Sequence, residues 1–191
     1  MVTTPIRKKE EIEIMKQYYL ETHSYRDYAL FVLGINTALR ISDLLNLKWE
    51  NVYNFDSQKY LSHIIITEQK TGKQTCIVIN RQCNMALEEL RMQSRPKCAR
   101  EYIFYTKNDR YSHISRNRAY HIIKQAADIN KIEGNISCHS LRKTFGYHAW
   151  KCGAPSALIM EIYNHSSIEI TKKYLSITQD EKDELFNVLN L

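Results

Sequence analysis

Residues 137–150 read Ser-Cys-His-Ser-Leu-Arg-Lys-Thr-Phe-Gly-Tyr-His-Ala-Trp, and the chain runs helical from Leu141 until Gly153 stops it. His139 and Arg142 stand three apart at the head of this helix. Residues three apart share a helix face, so the two side chains can converge on one anion, and the helix N-terminus adds its own attraction. Taken by itself, the pair reads rather as a helix-capping histidine and a surface arginine.

Downstream, Pro155 suits the first turn of a new helix. Next come His165-Ser166-Ser167 and then Lys172-Lys173-Tyr174. Ser166 or Ser167 is placed to cap a short helix over residues 167–175 that presents Tyr174. With 13 tyrosines in the chain, a single Tyr is ordinarily core or surface filler. The final segment, 180–189, has acids in its first turn (Asp180, Glu181, Asp183, Glu184) and an apolar face of Leu185, Phe186, Val188 and Leu189. So short a helix needs a surface to lie on, in its own domain or on a neighbour.

Upstream, Gly134 and Asn135 break the chain after an amphipathic helix over 115–127. A strand is expected at 102–105 and a helix at 82–92. Residues 60–67 and 75–79 are rich in β-branched side chains around the turn Lys70-Thr71-Gly72-Lys73, a hairpin pattern. A short helix covers 42–47. Ser24 and Asp27 have the spacing of a capping box opening an apolar helix through Leu39. Ile12, Met15 and Tyr19 mark a helix over 8–20. The expectation is one domain over 1–191, mainly α with a small antiparallel β-sheet (α+β).

Two further positions could carry chemistry. Arg40 ends an apolar helix, where a guanidinium needs an anionic partner; Asp43 and Glu50 are the nearest candidates for an ordinary ion pair. Lys70 stands in the hairpin turn, where a lysine is usually just solvated.

Composition narrows the class. The 191 residues are 43% hydrophobic and 25% charged, with five Gly and three Pro, as in a globular chain with few tight turns. A net charge of +6 suits a polyanionic partner, since Lys and Arg that neutralise phosphates release counterions. The five cysteines, at 76, 83, 98, 138 and 152, include no C-x-x-C pair, so free thiols in a reducing compartment are expected. Residues 1–17 are polar and charged, unlike a signal peptide, and no apolar run approaches the ~20 residues that span a bilayer. The cytoplasm is the default location.

Arg, then Lys in a β-turn, then His-x-x-Arg, then His, then Tyr nine residues later resembles the active-site set of the tyrosine recombinase (phage integrase) family. TALRISDLLNLKWENV, EQKTGK, SCHSLRKTFGYHAW and NHSSIEITKKYL look like its motif boxes, over about Ile12 to Leu175. The resemblance implies a recombinase catalytic-domain fold and a catalytic set of Arg40, Lys70, His139, Arg142, His165 and Tyr174. It implies no cofactor and no metal. The implied partner is double-stranded DNA, held by a homo-tetramer that is a monomer or weak oligomer when free. No membrane is involved, and the protein is nucleoid-associated when on DNA. Residues 180–191 would be exchanged between protomers.

Two positions depart from the pattern: Ala38 and Asn164 stand where the family often has glycine. Most members also carry a DNA-clamping (core-binding) domain ahead of this one, which is expected to be absent here. Two other readings share parts of the pattern. One is a DNA-binding relative that has lost catalysis and regulates. The other is a type IB topoisomerase-like enzyme that relaxes DNA.

Overall fold

The computed structural model describes residues 2–175, 182 and 186–189. Its elements are α1 (Lys9–Glu21), α2 (Tyr25–Thr37), α3 (Ile41–Leu45), β1 (Tyr53–Asn54), β2 (Lys59–Tyr60), β3 (His63–Thr67) and β4 (Gln74–Val78). They continue with α4 (Arg81–Ser94), α5 (Arg116–Ile129), α6 (Cys138–Lys151), α7 (Ser156–Ile162) and α8 (Ile168–Leu175). The expected helical domain with a little antiparallel sheet is what forms. Among the described residues, no helix is long and apolar enough to cross a membrane.

Helix α2 is the centre of the main core. Tyr28 through Gly34 are buried on every side, so this helix has no polar face to give to solvent. Helices α1, α4 and α6 surround it. At the α2–α6 crossing, a Cβ on Gly34 would lie 2.5 Å from Leu141, so glycine lets the helix carrying His139 and Arg142 come close. The strap ahead of α1 lies along α6 as well: Ile6 N–H donates to Thr144 Oγ1 at 2.9 Å, and Lys143 Nζ donates to the Thr3 carbonyl at 2.7 Å. A smaller apolar cluster of Ala38, Ile159, Tyr163 and Leu175 joins α6, α7 and α8 beside the main core.

The strand expected over 60–67 is divided. Tyr60 pairs with Tyr53 in the β1–β2 hairpin, while His63–Thr67 pairs with Gln74–Val78 in a second hairpin. The break at Leu61 and Ser62 lets Tyr60 turn toward Tyr53 and Glu88, whose carboxylate accepts from its hydroxyl at 2.7 Å. Residues 102–105 form no strand. Ile103 and Phe104 are both fully buried, and their backbone bonds go to Leu47 and Ile114 across isolated bridges.

Three local expectations change. Ser24 precedes α2 but its side chain makes no capping bond; the hydroxyl turns back to the Thr22 carbonyl, and Asp27 pairs with Arg26 at 2.9 Å. Pro155 is the residue ahead of α7 and not its first helical one. Helix α6 begins three residues before Leu141, capped by a reciprocal Ser137–Ser140 box that puts His139 inside the first turn. All five cysteines are free thiols. The tail helix expected from Asp180 falls largely outside the described residues.

Candidate active site

Five segments end around one cleft of about 730 Å³. Arg40 comes from the α2–α3 junction, Lys70 from the β3–β4 turn, His139 and Arg142 from α6, His165 from the α7–α8 loop and Tyr174 from α8; all six line it. Arg116, at the head of α5, lines it too.

Arg40 is placed by a helix break. Helix α2 closes on Ala38 in the left-handed region (φ 57°), and the chain restarts as α3 with Arg40 at its extended cap position. Neither Asp43 nor Glu50 pairs with it. Its Nη1 donates instead to Glu68 Oε2 at 2.6 Å, and its Nη2 to the Tyr163 carbonyl at 3.4 Å. Asp43 is engaged elsewhere. Its Oδ1 accepts from the Gln69 backbone N–H at 2.9 Å, pinning the turn that carries Lys70.

Arg142 is buried at 5% exposure, against 21% for the Arg40 side chain, which leaves Arg40 the more accessible of the two. Its guanidinium donates to the carbonyls of Ala38 and Tyr163, the latter at 2.8 Å, and lies 4.6 Å from the Tyr163 ring centre. These bonds hold the fork while leaving N–H groups toward the cleft. Burial pulls the Arg142 pKa down, and the Arg40 charge adds to this, but a guanidinium starts high enough to stay charged.

Tyr163, His165 and Tyr174 form a ring cluster with centroids 5.1–5.2 Å apart. His165 Nδ1 is 3.1 Å from Thr171 Oγ1, which orients the imidazole. Asn164, just before it, is left-handed (φ 51°). Both positions where this chain departs from glycine therefore adopt the conformation that glycine enters most easily. Burial raises the Tyr174 pKa, opposed by the charges of Arg142 and Arg40 and a hydrogen bond from Arg142; burial wins, so the phenol is protonated at neutral pH. His139 and His165 both fall below the ordinary histidine value. Desolvation comes first for each, then Arg116, Lys143 and Arg142 for His139, and Arg142, Arg40 and Lys70 for His165. A neutral imidazole in the same cleft as a protonated phenol can accept its proton.

Among the described residues, no group of three or more His, Cys, Asp or Glu is arranged to hold a metal ion.

The model of the phage integrase family matches residues 5–181. This chain belongs to the phage integrase family. It is 38% identical over 187 residues to the probable integrase/recombinase YoeC of Bacillus subtilis (strain 168), covering 98% of this chain and 97% of YoeC. It is 29% identical over 161 residues to the tyrosine recombinase XerD of Mycobacterium leprae (strain TN), covering 80% of this chain and 48% of that protein. It thus spans nearly all of one relative and about half of the other. The XerA recombinase crystal structure superposes with a TM-score of 0.77 at 19% identity, over 98% of this chain and 64% of that one. XerH bound to its palindromic difH substrate gives 0.77 at 15%, over 100% of this chain and 54% of that one. The recombinase catalytic-domain fold expected from the motif boxes is the fold of these proteins, and the enzyme class is that of tyrosine recombinases.

Three contributors to the site escaped the sequence reading: Glu68, Tyr163 and Arg116. Glu68 had a signal. Ile64 and Ile66 lie on the covered face of β3, and Glu68, one residue past its end, keeps the same alternation. Arg116 follows a Ser115 cap, which marks a helix start but not a cleft wall. Tyr163 had no local signal at all.

Proposed function

We propose that this chain is the catalytic unit of a site-specific recombinase that cleaves and rejoins double-stranded DNA through a 3′-phosphotyrosyl intermediate on Tyr174. The observation that carries this is the convergence on one cleft of two arginines, a lysine, two histidines and a tyrosine from five separate segments.

The chemistry follows from charge. When the Tyr174 oxygen attacks a phosphodiester, negative charge grows on the nonbridging oxygens, and Arg40 and Arg142 stabilise it as planar, permanently charged forks. His139 accepts the phenol proton. The P–O bond to the 5′-oxygen breaks as the Tyr174 oxygen–phosphorus bond forms, and Lys70 protonates the leaving oxygen. His165 donates a hydrogen bond to the phosphate. The phosphotyrosine keeps the free energy of the phosphodiester, so attack by a 5′-hydroxyl reverses the step without ATP. On DNA the chain works as a homo-tetramer.

A suicide DNA substrate tests this. Wild type should give an SDS-resistant protein–DNA band, and Tyr174→Phe should bind DNA nearly as well and give none. A band of equal strength from Tyr174→Phe would remove Tyr174 from the role. On plasmids carrying two sites, relaxation without recombinant products would favour a topoisomerase, and binding alone a regulator.

A further inference from the structure

We propose that Glu68 is a positioning residue for cleavage: from outside the cleft, its carboxylate fixes the Arg40 guanidinium and ties it to the Lys70 turn and the His165 loop. The inference rests on the role given to Arg40 above.

Three walls of the cleft meet at this one side chain. Arg40 Nη1 donates to Glu68 Oε2 at 2.6 Å and Thr71 Oγ1 donates to the same oxygen at 2.7 Å. The Asn164 side chain, next to His165, also hydrogen-bonds it. The backbone of Glu68 closes the turn: its N–H donates to the Lys73 carbonyl and its carbonyl accepts from Gly72 N–H, both at 2.9 Å. A shift of Glu68 would therefore move Arg40, Lys70 and His165 together.

Its side of the arginine matters. Glu68 is only 2% exposed and does not line the cleft; it lines a neighbouring cavity of about 430 Å³ that shares Arg142 and Asn164 with the cleft. The carboxylate therefore holds Arg40 from outside the cleft. Two of the five guanidinium N–H groups face Glu68 and Tyr163, leaving others for a phosphate. A buried carboxylate is costly unless paired and hydrogen-bonded, so the pair holds a narrow geometry. Burial alone would raise the Glu68 pKa, but the hydrogen bonds from Thr71 and Arg40 and the Arg40 charge outweigh it, keeping the group ionised at neutral pH.

The test compares Glu68→Gln, which keeps shape and an acceptor oxygen, with Glu68→Ala. Thermal melting, gel shift on the DNA site and single-turnover cleavage of a suicide substrate are measured for each. Binding should stay near wild type in both variants and melting should fall less in the Gln variant, which keeps the buried hydrogen bonds, than in the Ala variant; cleavage should fall roughly tenfold in the Gln variant and further in the Ala variant, as for a misplaced catalytic group. In an Arg40→Ala background, Glu68→Gln should change cleavage less than about twofold, because the group it positions is gone. Independent, multiplying effects of the two substitutions would overturn the proposal. So would a wild-type rate in both Glu68 variants, or losses of melting and binding that match the loss of cleavage. If Arg40→Ala itself cleaves at the wild-type rate, the assignment of Arg40 falls first and the role of Glu68 falls with it.

Discussion

The hydroxyl of Tyr163 occupies the space that a side chain on Gly146 would need. A Cβ at Gly146 would overlap Tyr163 Oη and lie 3.0 Å from Leu175 Cδ2. The same hydroxyl donates to the Arg142 carbonyl at 2.6 Å, so the missing side chain is what lets α6 hold the α7–α8 loop. Gly146→Ala is expected to cost about 1–3 kcal/mol of stability, the usual cost of overpacking. It should also slow cleavage, because Leu175 adjoins Tyr174. Urea denaturation measures the first effect. Adding Tyr163→Phe should restore part of the loss, and no recovery in the double variant would mean that the hydroxyl is not the obstacle.

Arg40→Ala and Arg142→Ala should each slow cleavage by about 10²-fold or more, the scale of losing one transition-state charge stabiliser. Both should also lower the melting temperature: Arg142 is buried and bonded to Ala38 and Tyr163, and removing Arg40 leaves the buried Glu68 carboxylate without its ion-pair partner. Wild-type cleavage should persist in EDTA. A requirement for added Mg²⁺ would mean that the arginines do not carry the charge.

The pH–rate profile should report His139. On the proposed mechanism a neutral imidazole is the base, so cleavage should rise with pH, and the midpoint should lie below the ordinary histidine value of about 6.5. Desolvation and the charges of Arg116, Lys143 and Arg142 set that direction. Arg116→Ala removes one of those charges and should move the midpoint upward; an unmoved midpoint would place the titration elsewhere. Stability follows the same sign. His139, His148 and His165 bind protons less readily when folded, so their contribution is complete above pH about 6.5 and is lost as the pH falls below it.

Asn164 combines a left-handed backbone with a side chain bonded to Glu68. Glycine there would lose the bond but keep the backbone at ease. Alanine would lose the bond and add a left-handed penalty of about 1 kcal/mol. The expected order of stability is wild type, then Asn164→Gly, then Asn164→Ala, measured by chemical denaturation. Equal stabilities of the Gly and Ala variants would show that the backbone relaxes out of that conformation.

What the sequence determined is local and ordered. The helix that puts His139 and Arg142 on one face, the hairpin that lifts Lys70 and the short helix that presents Tyr174 all follow from periodicity, caps and turn residues acting within a few positions. So do the motif boxes that name the family. What only the tertiary structure decided is which distant groups answer these residues. Arg40 has Asp43 three residues away and takes Glu68, 28 residues away, because Asp43 is committed to the Gln69 backbone while the end of β3 delivers a buried carboxylate to the guanidinium. Tyr163 accepts from both arginines, over separations of 123 and 21 residues, through a backbone carbonyl that no side-chain pattern can announce. Local spacing fixes how a side chain leaves its own helix or strand. A buried charge pairs with whichever group the packed core brings within reach, and that is settled only when the elements meet.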